Sequence, residues 1–388
     1  MIRFIIGFIV LTLFTLSSAN ANEVVIGKSE TLNSQVLNET RKLFISLPEN
    51  YDKTGYNYPV LYFSDAHAHF EIMASTVNFL TKANKIPPMI LVGIDTSANR
   101  VRDLTPIVYD EEEKNHPWFK SVNYGGASQF ANFIESELVP HINKKYRTTD
   151  FKVFSGHSFG GLFSFYTYLN KPNLFDGYMA ISPSLGWDKE RLVVAAKHQI
   201  EQKTLSKAAM YLSKGNEKGT TGASYTAITQ AFESVNIDSV SSQEFPDESH
   251  LTVVFDAHYH GLTTLFKAWP LSYAQSAKGL DVVITHINNV KDTFKINFSS
   301  ERWLINLGNS EHYKKNYNNA IEAYKHNISL FPNSDYSYFL LARTYEANGQ
   351  LKIALKHYEK ANQMVDSSHA NKRRYHDAIS KLKAKLKN

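Results

Sequence analysis

The sequence predicts an α/β fold, a mostly parallel β-sheet covered by helices on both faces, followed by a small all-α unit. Three observations lead there. Residues 59–63 and 89–94 are continuous apolar runs of strand length, the mark of strands buried on both faces. Strand-like and helix-like stretches then alternate with short connections up to residue 245. Past residue 300 the alternation stops, and side chains recur at a 34-residue spacing.

Taken in order, Arg3, the apolar run 4–16 and Ala19-Asn20-Ala21 read as a cleaved export signal over 1–21. The run is short of the roughly 20 residues a membrane span needs, so a periplasmic or secreted protein with no membrane span is expected. Residues 24–26 and 43–47 read as a hairpin, and Pro48 opens the turn after it. The strand 59–63 leads to a helix over 69–83 and the strand 89–94. Helical periodicity over 129–146 is interrupted by Pro140. A strand over 151–154 and a helix over 162–169 flank Gly156-His157-Ser158-Phe159-Gly160-Gly161. Strands at 177–181 and 209–212, a helix over 226–235 and a last strand at 241–245 complete the sheet. The expected division is a catalytic domain over 23–275, a linker over 276–300 and a repeat domain over 301–388.

The 388 residues, 43% hydrophobic, suffice for one large core and a smaller one. Cysteine is absent, which excludes disulfides, thiolate metal sites and a cysteine nucleophile. In the tail, Gly308 and Ala342, Ala320 and Ala354, and Tyr324 and Tyr358 are each 34 residues apart. Pro332 closes the first unit, and Tyr345, Gly349 and Ala361 fill further positions of the second. This is the tetratricopeptide pattern, with Glu311 where an aromatic is usual. Tyr375, Ile379, Leu382 and Leu386 form an apolar stripe suited to a capping helix. Residues 301–388 hold 15 Lys/Arg against 8 Asp/Glu, a mild basic bias that reads as solvated surface. No nucleic-acid-binding motif stands out.

Chemistry concentrates at Gly156-His157-Ser158-Phe159-Gly160, a G-x-S-x-G nucleophile elbow between strand and helix, with Ser158 as nucleophile. A serine hydroxyl needs a general base, and such elbows take their partners in chain order Ser, Asp/Glu, His. His250, just past the last expected strand, is the candidate base. Glu217, after the strand 209–212, is the candidate acid, with Asp247, Asp238 and Glu248 as rivals. The oxyanion calls for the N–H of Phe159 and that of Ala66 or His67. His67 with His69, and His258 with His260, form H-x-H pairs without a third ligand, so neither a metal nor another cofactor is expected. Arg100 and Arg102 stand beside the expected site, either orienting a polar substrate group or pairing internally with an aspartate. Residues 110–124, with Glu111, Glu112, Glu113 and Trp118, read as a lid or as a solvated charge run.

Residues 58–62, 100–106, 133–140, 156–161, 171–175, 182–184 and 246–250, in that order, resemble the esterase family of α/β-hydrolases. That family contains the enterobactin-type siderophore esterases and related secreted esterases, and the likeness spans residues 23 to 270. The resemblance implies the α/β-hydrolase fold, Ser158 as nucleophile and His250 as base. It leaves the acid open, because some members work with a Ser–His dyad. Gly186-Trp187 stands where an aromatic pair is common, which makes Trp187 a candidate pocket wall, and Ala66 stands where glycine is frequent. The tail resembles that of bacterial esterase–repeat fusions. The expected function is hydrolysis of a small, siderophore-like or other ester through an acyl-enzyme on Ser158. The alternatives are acyl transfer from the same acyl-enzyme, or a repeat-mediated interaction module with an inert hydrolase domain. The expected partners are a small-molecule ester and, on the repeats, a protein.

Overall fold

The computed structural model describes residues 25–235 and 237–387; the export signal expected over 1–21 lies outside them. Among the described residues eight strands form one sheet: β1 (Lys28–Ser34), β2 (Glu39–Ser46), β3 (Tyr58–Phe63), β4 (Ile90–Ile94), β5 (Thr148–His157), β6 (Gly177–Ile181), β7 (Ala209–Lys214) and β8 (Val240–Glu244). Their spatial order is β1-β2-β4-β3-β5-β6-β7-β8. The β1–β2 and β2–β4 pairs are antiparallel, and every other pair is parallel. This is the α/β-hydrolase-like architecture.

The parallel strands β3, β4 and β6 are buried at every residue, because helices cover both faces. Val60, Tyr62, Val92, Phe154 and Leu212 face one layer, which includes the helices Phe159–Asn170 and Gly219–Ser234. Leu61, Phe63, Leu91, Val153 and Tyr211 face the other, with Ala66–Lys82, Val253–Leu265 and Leu280–Phe294. The period-two split of each strand decides which layer a side chain joins.

Three expectations are corrected. The first strand is Lys28–Ser34, not 24–26; Val25 and Ile26 are exposed, and Val24 lies outside the described residues. As an edge strand it pairs on one side only, so polar side chains suffice and no apolar run announces it. Pro140 does not break the helix it interrupts. The chain runs from Ala127–Phe133 through a π-helical stretch, Ile134–Leu138, into Val139–Lys145. The wider turns accommodate the missing N–H and the ring. Residues 276–300 are not a linker but carry the helix Leu280–Phe294. Its Val283, Ile287, Val290 and Phe294 are buried with the sheet and with Trp303, Leu304 and Leu307.

Past residue 300 the helices come as two packed pairs and one more: Glu301–Tyr313 with Tyr317–Leu330, Asp335–Ala347 with Leu351–Gln363, then Lys372–Lys387. A Cβ on Gly308 would lie 2.4 Å from the Tyr324 ring, so this glycine lets the first pair approach closely. Glu311 is buried and holds Lys314, Asn316 and Asn319 instead of packing as an aromatic. Among the described residues no helix is long and apolar enough to cross a membrane.

Candidate active site

The C-terminal ends of β3, β5, β7 and β8 bring the candidate residues to one edge of the sheet. β5 ends at His157 and a helix begins at Phe159, leaving Ser158 between them at φ 61, ψ −115. That backbone is strained for any side chain except glycine. The turn survives because Ser158 N–H donates to Ile181 O (2.9 Å) and Leu162 N–H to Ser158 O (2.9 Å). Gly156 is required by the same closeness: a Cβ there would lie 2.1 Å from the Gly160 carbonyl oxygen.

His250 follows β8 and Glu217 follows β7. The two loops are laced together by Asn216 N–H donating to Glu248 O at 2.7 Å. His250 Nδ1 lies 2.8 Å from Glu217 Oε1, while no hydrogen bond among the described residues engages Nε2. Burial opposes charge on Glu217, but the Ser182 hydroxyl and the His250 ring outweigh it and hold the carboxyl below its ordinary pKa. Glu217 is therefore ionised at neutral pH and fixes the proton of His250 on Nδ1. The rivals Asp238, Asp247 and Glu248 make no side-chain bond to His250.

Ala66 and Phe159 are each the first residue of a helix, so their N–H groups have no intrahelical acceptor. The two termini adjoin, since a Cβ on Gly160 would meet Ser64 Oγ at 2.3 Å. Two donors on adjoining helix N-termini beside a serine are suited to receiving a developing oxyanion.

Both arginines make the internal pairing. Arg100 forms two bonds to the buried Asp65 carboxylate (2.8 and 2.9 Å), and Arg102 binds Glu39 and Asp103 (2.7 Å each). Asp65 itself stands at the N-cap of the Ala66 helix at φ 57, so Arg100 braces the turn into that helix. His67 is half-exposed and sits 3.4 Å from Asp95, whereas His69 packs edge-on to His157; the H-x-H pair thus divides between different partners.

Trp187 is a buried aromatic hub. Its indole N–H donates to Pro106 O (3.0 Å), and its ring contacts Phe119 (5.0 Å), Phe159 (5.6 Å), Tyr124 (6.0 Å) and Trp118 (6.1 Å). Segment 110–124 thus has two faces: Glu111 and Glu112 are solvated, while Trp118 packs on Phe159, the residue after Ser158, and Phe119 on Trp187. Asp188 ties this segment down by accepting from the N–H groups of Tyr109 and Asp110. The sequence reading did not give roles to His157, His258 or Asp65, although His157 lies inside the elbow motif itself.

Curated relatives and solved structures agree with this architecture. Ferri-bacillibactin esterase BesA of Bacillus subtilis is 31% identical over 192 residues, which cover 47% of this chain and 66% of that protein. The chain spans less than two thirds of the length of this and of a triacetylfusarinine C esterase from Aspergillus fumigatus, which is 25% identical. An IroE-like serine hydrolase from Shewanella oneidensis has a TM-score of 0.66 at 27% identity, covering 74% of this chain and 94% of its own. An uncharacterised protein from Capnocytophaga ochracea shares the fold over 92% of this chain and 99% of its own, with a TM-score of 0.64 at 20% identity. The family profile described as "Putative esterase" matches residues 34–246, more than half of the chain, and with it this chain belongs to the esterase family.

Proposed function

We propose that the chain is a serine carboxylic-ester hydrolase working through an acyl-enzyme. Ser158 Oγ attacks the ester carbonyl while His250 Nε2 takes its proton and passes it to the departing alkoxide. Water, deprotonated by His250, then attacks the acyl-enzyme, releasing the acid and restoring Ser158. Glu217 holds the imidazole tautomer and offsets the charge of the imidazolium, and the N–H groups of Ala66 and Phe159 receive the oxyanion. The observation that carries this reading is the strained Ser158 at the strand–helix junction, on the sheet edge that also bears the His250–Glu217 pair.

The relatives named as esterases of bacillibactin and triacetylfusarinine C support a small, siderophore-like ester as substrate, and Trp118, Phe119, Phe159 and Trp187 supply an apolar wall for it. The esterase domain is taken to run from residue 23 through the helix Leu280–Phe294, whose apolar face is buried with the sheet. The helices of 301–388 are read as tetratricopeptide-type pairs with Lys372–Lys387 as their cap, offering a protein partner a surface. Read as a cleaved export signal, residues 1–21 direct the enzyme to the periplasm or out of the cell.

Purified protein is assayed on p-nitrophenyl acyl esters and with a fluorophosphonate probe, beside Ser158→Ala. Hydrolysis and labelling that vanish in the variant are expected. A wild type that neither hydrolyses nor labels, or a variant as active as wild type, overturns the reading.

A further inference from the structure

Behind the proposed base lies a group of buried imidazoles that the mechanism does not use. Ser155 and His157 are alternate residues of β5 and so share a face of the strand. Both reach to the segment that carries the base. Ser155 Oγ lies 3.0 Å from His258 Nε2, and His157 Nε2 lies 2.7 Å from the main-chain oxygen of His250. His69 packs against both rings, at 5.7 Å from His157 and 6.5 Å from His258. A carbonyl oxygen only accepts, so His157 Nε2 must carry a proton and donate.

We propose that His157 is a positioning residue for the base, its Nε2–H holding the main chain of His250 in register with Ser158. The inference rests on the reading of Ser158 and His250 given above. His157 is joined to Ser158 by a single peptide bond at the end of a rigid strand, so its ring measures position from the nucleophile itself. Glu217 fixes only the ring end of His250, through Nδ1. A ring held at one nitrogen can still shift with its loop, and the neighbouring bonds between Ser249 and Thr252 are exposed. A second anchor on the His250 carbonyl removes that freedom. Burial, with His250, His69 and the Arg100 guanidinium close by, pushes the His157 pKa down to about 4. The ring is therefore neutral at pH 7, and its tautomer is what matters.

The test compares His157→Met, which keeps length and loses the donor, with His157→Gln, which keeps a donor, on a p-nitrophenyl ester. His157→Met should lower kcat about 10- to 100-fold, as small misplacements of catalytic groups do, with KM and the unfolding midpoint nearly unchanged. His157→Gln should restore most of kcat. In the wild type, nitrogen-15 NMR of the imidazoles should show the Nε2–H tautomer for His157, assigned by its loss in His157→Gln. A folded His157→Met with wild-type kcat, a His157→Gln no better than it, or an Nδ1–H tautomer would each overturn the proposal. If His157→Met does not fold, the glutamine variant and the tautomer still decide. A wild type without Ser158-dependent hydrolysis is a separate result, which removes the serine-hydrolase reading itself.

Discussion

The same imidazoles make the fold sensitive to mild acid, and the size of the effect follows from their burial. Burial is the main cause that lowers both pKa values, to about 4 for His157 and about 3 for His258, and it lowers that of His69 as well. In the unfolded chain each ring returns to about 6.5. Between those values the unfolded state binds protons that the folded state refuses, so stability is full above pH 6.5 and falls as pH drops through 6.5 toward 4. From pH 7 to pH 5 each of the two deeper rings gives up about 2 kcal/mol, together about 4 kcal/mol against a typical domain stability of about 5–15 kcal/mol. Carboxylates with lowered pKa, such as Glu30, Glu39 and Glu217, lose their contribution only in more acid solution. His312 and His357 in the C-terminal helices act in the same direction as the buried cluster, so a variant is needed to isolate it. His258→Gln keeps a polar atom for Ser155 Oγ and removes one titration. The assay is urea unfolding at half-unit pH steps from 7 to 5, with the slope of stability against pH as readout. The variant should take up about one proton fewer on unfolding below pH 6, a slope flatter by about 1.4 kcal/mol per pH unit. Identical slopes for the two proteins would refute the claim that His258 is kept neutral by the fold.

Two further substitutions probe the site and its brace. Glu217→Gln should leave the fold intact and lower kcat by about 10²–10⁴-fold, because the tautomer of His250 is no longer imposed; unchanged kcat in steady-state kinetics would mean that Ser158 and His250 work as a dyad. Arg100→Met strands the buried Asp65 carboxylate, and removing one partner of a buried pair costs about 3 kcal/mol or more. A urea midpoint equal to that of wild type would show that Asp65 does not depend on Arg100, and with it that the turn into the Ala66 helix is braced by other contacts.

The strands most legible in the sequence are those buried on both faces, because β3, β4 and β6 have no exposed position and so read as short uninterrupted apolar runs. β1 was not legible: its exposed Lys28, Ser29, Thr31 and Asn33 face water, and only pairing with β2 makes it a strand. The helix Leu280–Phe294 carried a signal that went unused, since Val283, Ile287, Val290 and Phe294 recur at helical spacing on one face. At the site, chain order and loop position pointed to the loops that carry His250 and Glu217, which β7 and β8, neighbours in the sheet, deliver side by side; the choice among Glu217, Asp238, Asp247 and Glu248 needed the 2.8 Å contact between Glu217 and the His250 ring. The arginines could not be settled that way. Their partners Asp65 and Glu39 lie 35 and 63 residues away in sequence, and only the closed sheet brings them within reach. His157 is a similar case. The motif leaves its position free, and its meaning comes from a carbonyl 93 residues further on.

The C-terminal helices show why a sequence period does not mark a domain boundary. The 34-residue spacing reports how helices pair with each other, as Gly308 against Tyr324 illustrates. It carries no information on what the first helix does with its other side. Trp303, Leu304 and Leu307 of that helix belong to the same buried cluster as Val153, Met179 and Tyr211 of the sheet, with Phe294 among them. The Trp269 ring lies 4.7 Å from Phe298 and 5.3 Å from Trp303, so the segment after Leu280–Phe294 seals the hydrolase layer. Each fully buried large side chain of this kind is worth about 1.5–3 kcal/mol. A chain cut near Lys291 would lose Phe294, Phe298 and Trp303 together and expose Trp269, a loss comparable to the whole stability of a typical domain. Activity lost on such a truncation would report a broken core rather than a missing partner. Recognition by the helices is better tested by changing exposed side chains, such as Tyr313, which leaves the shared core in place.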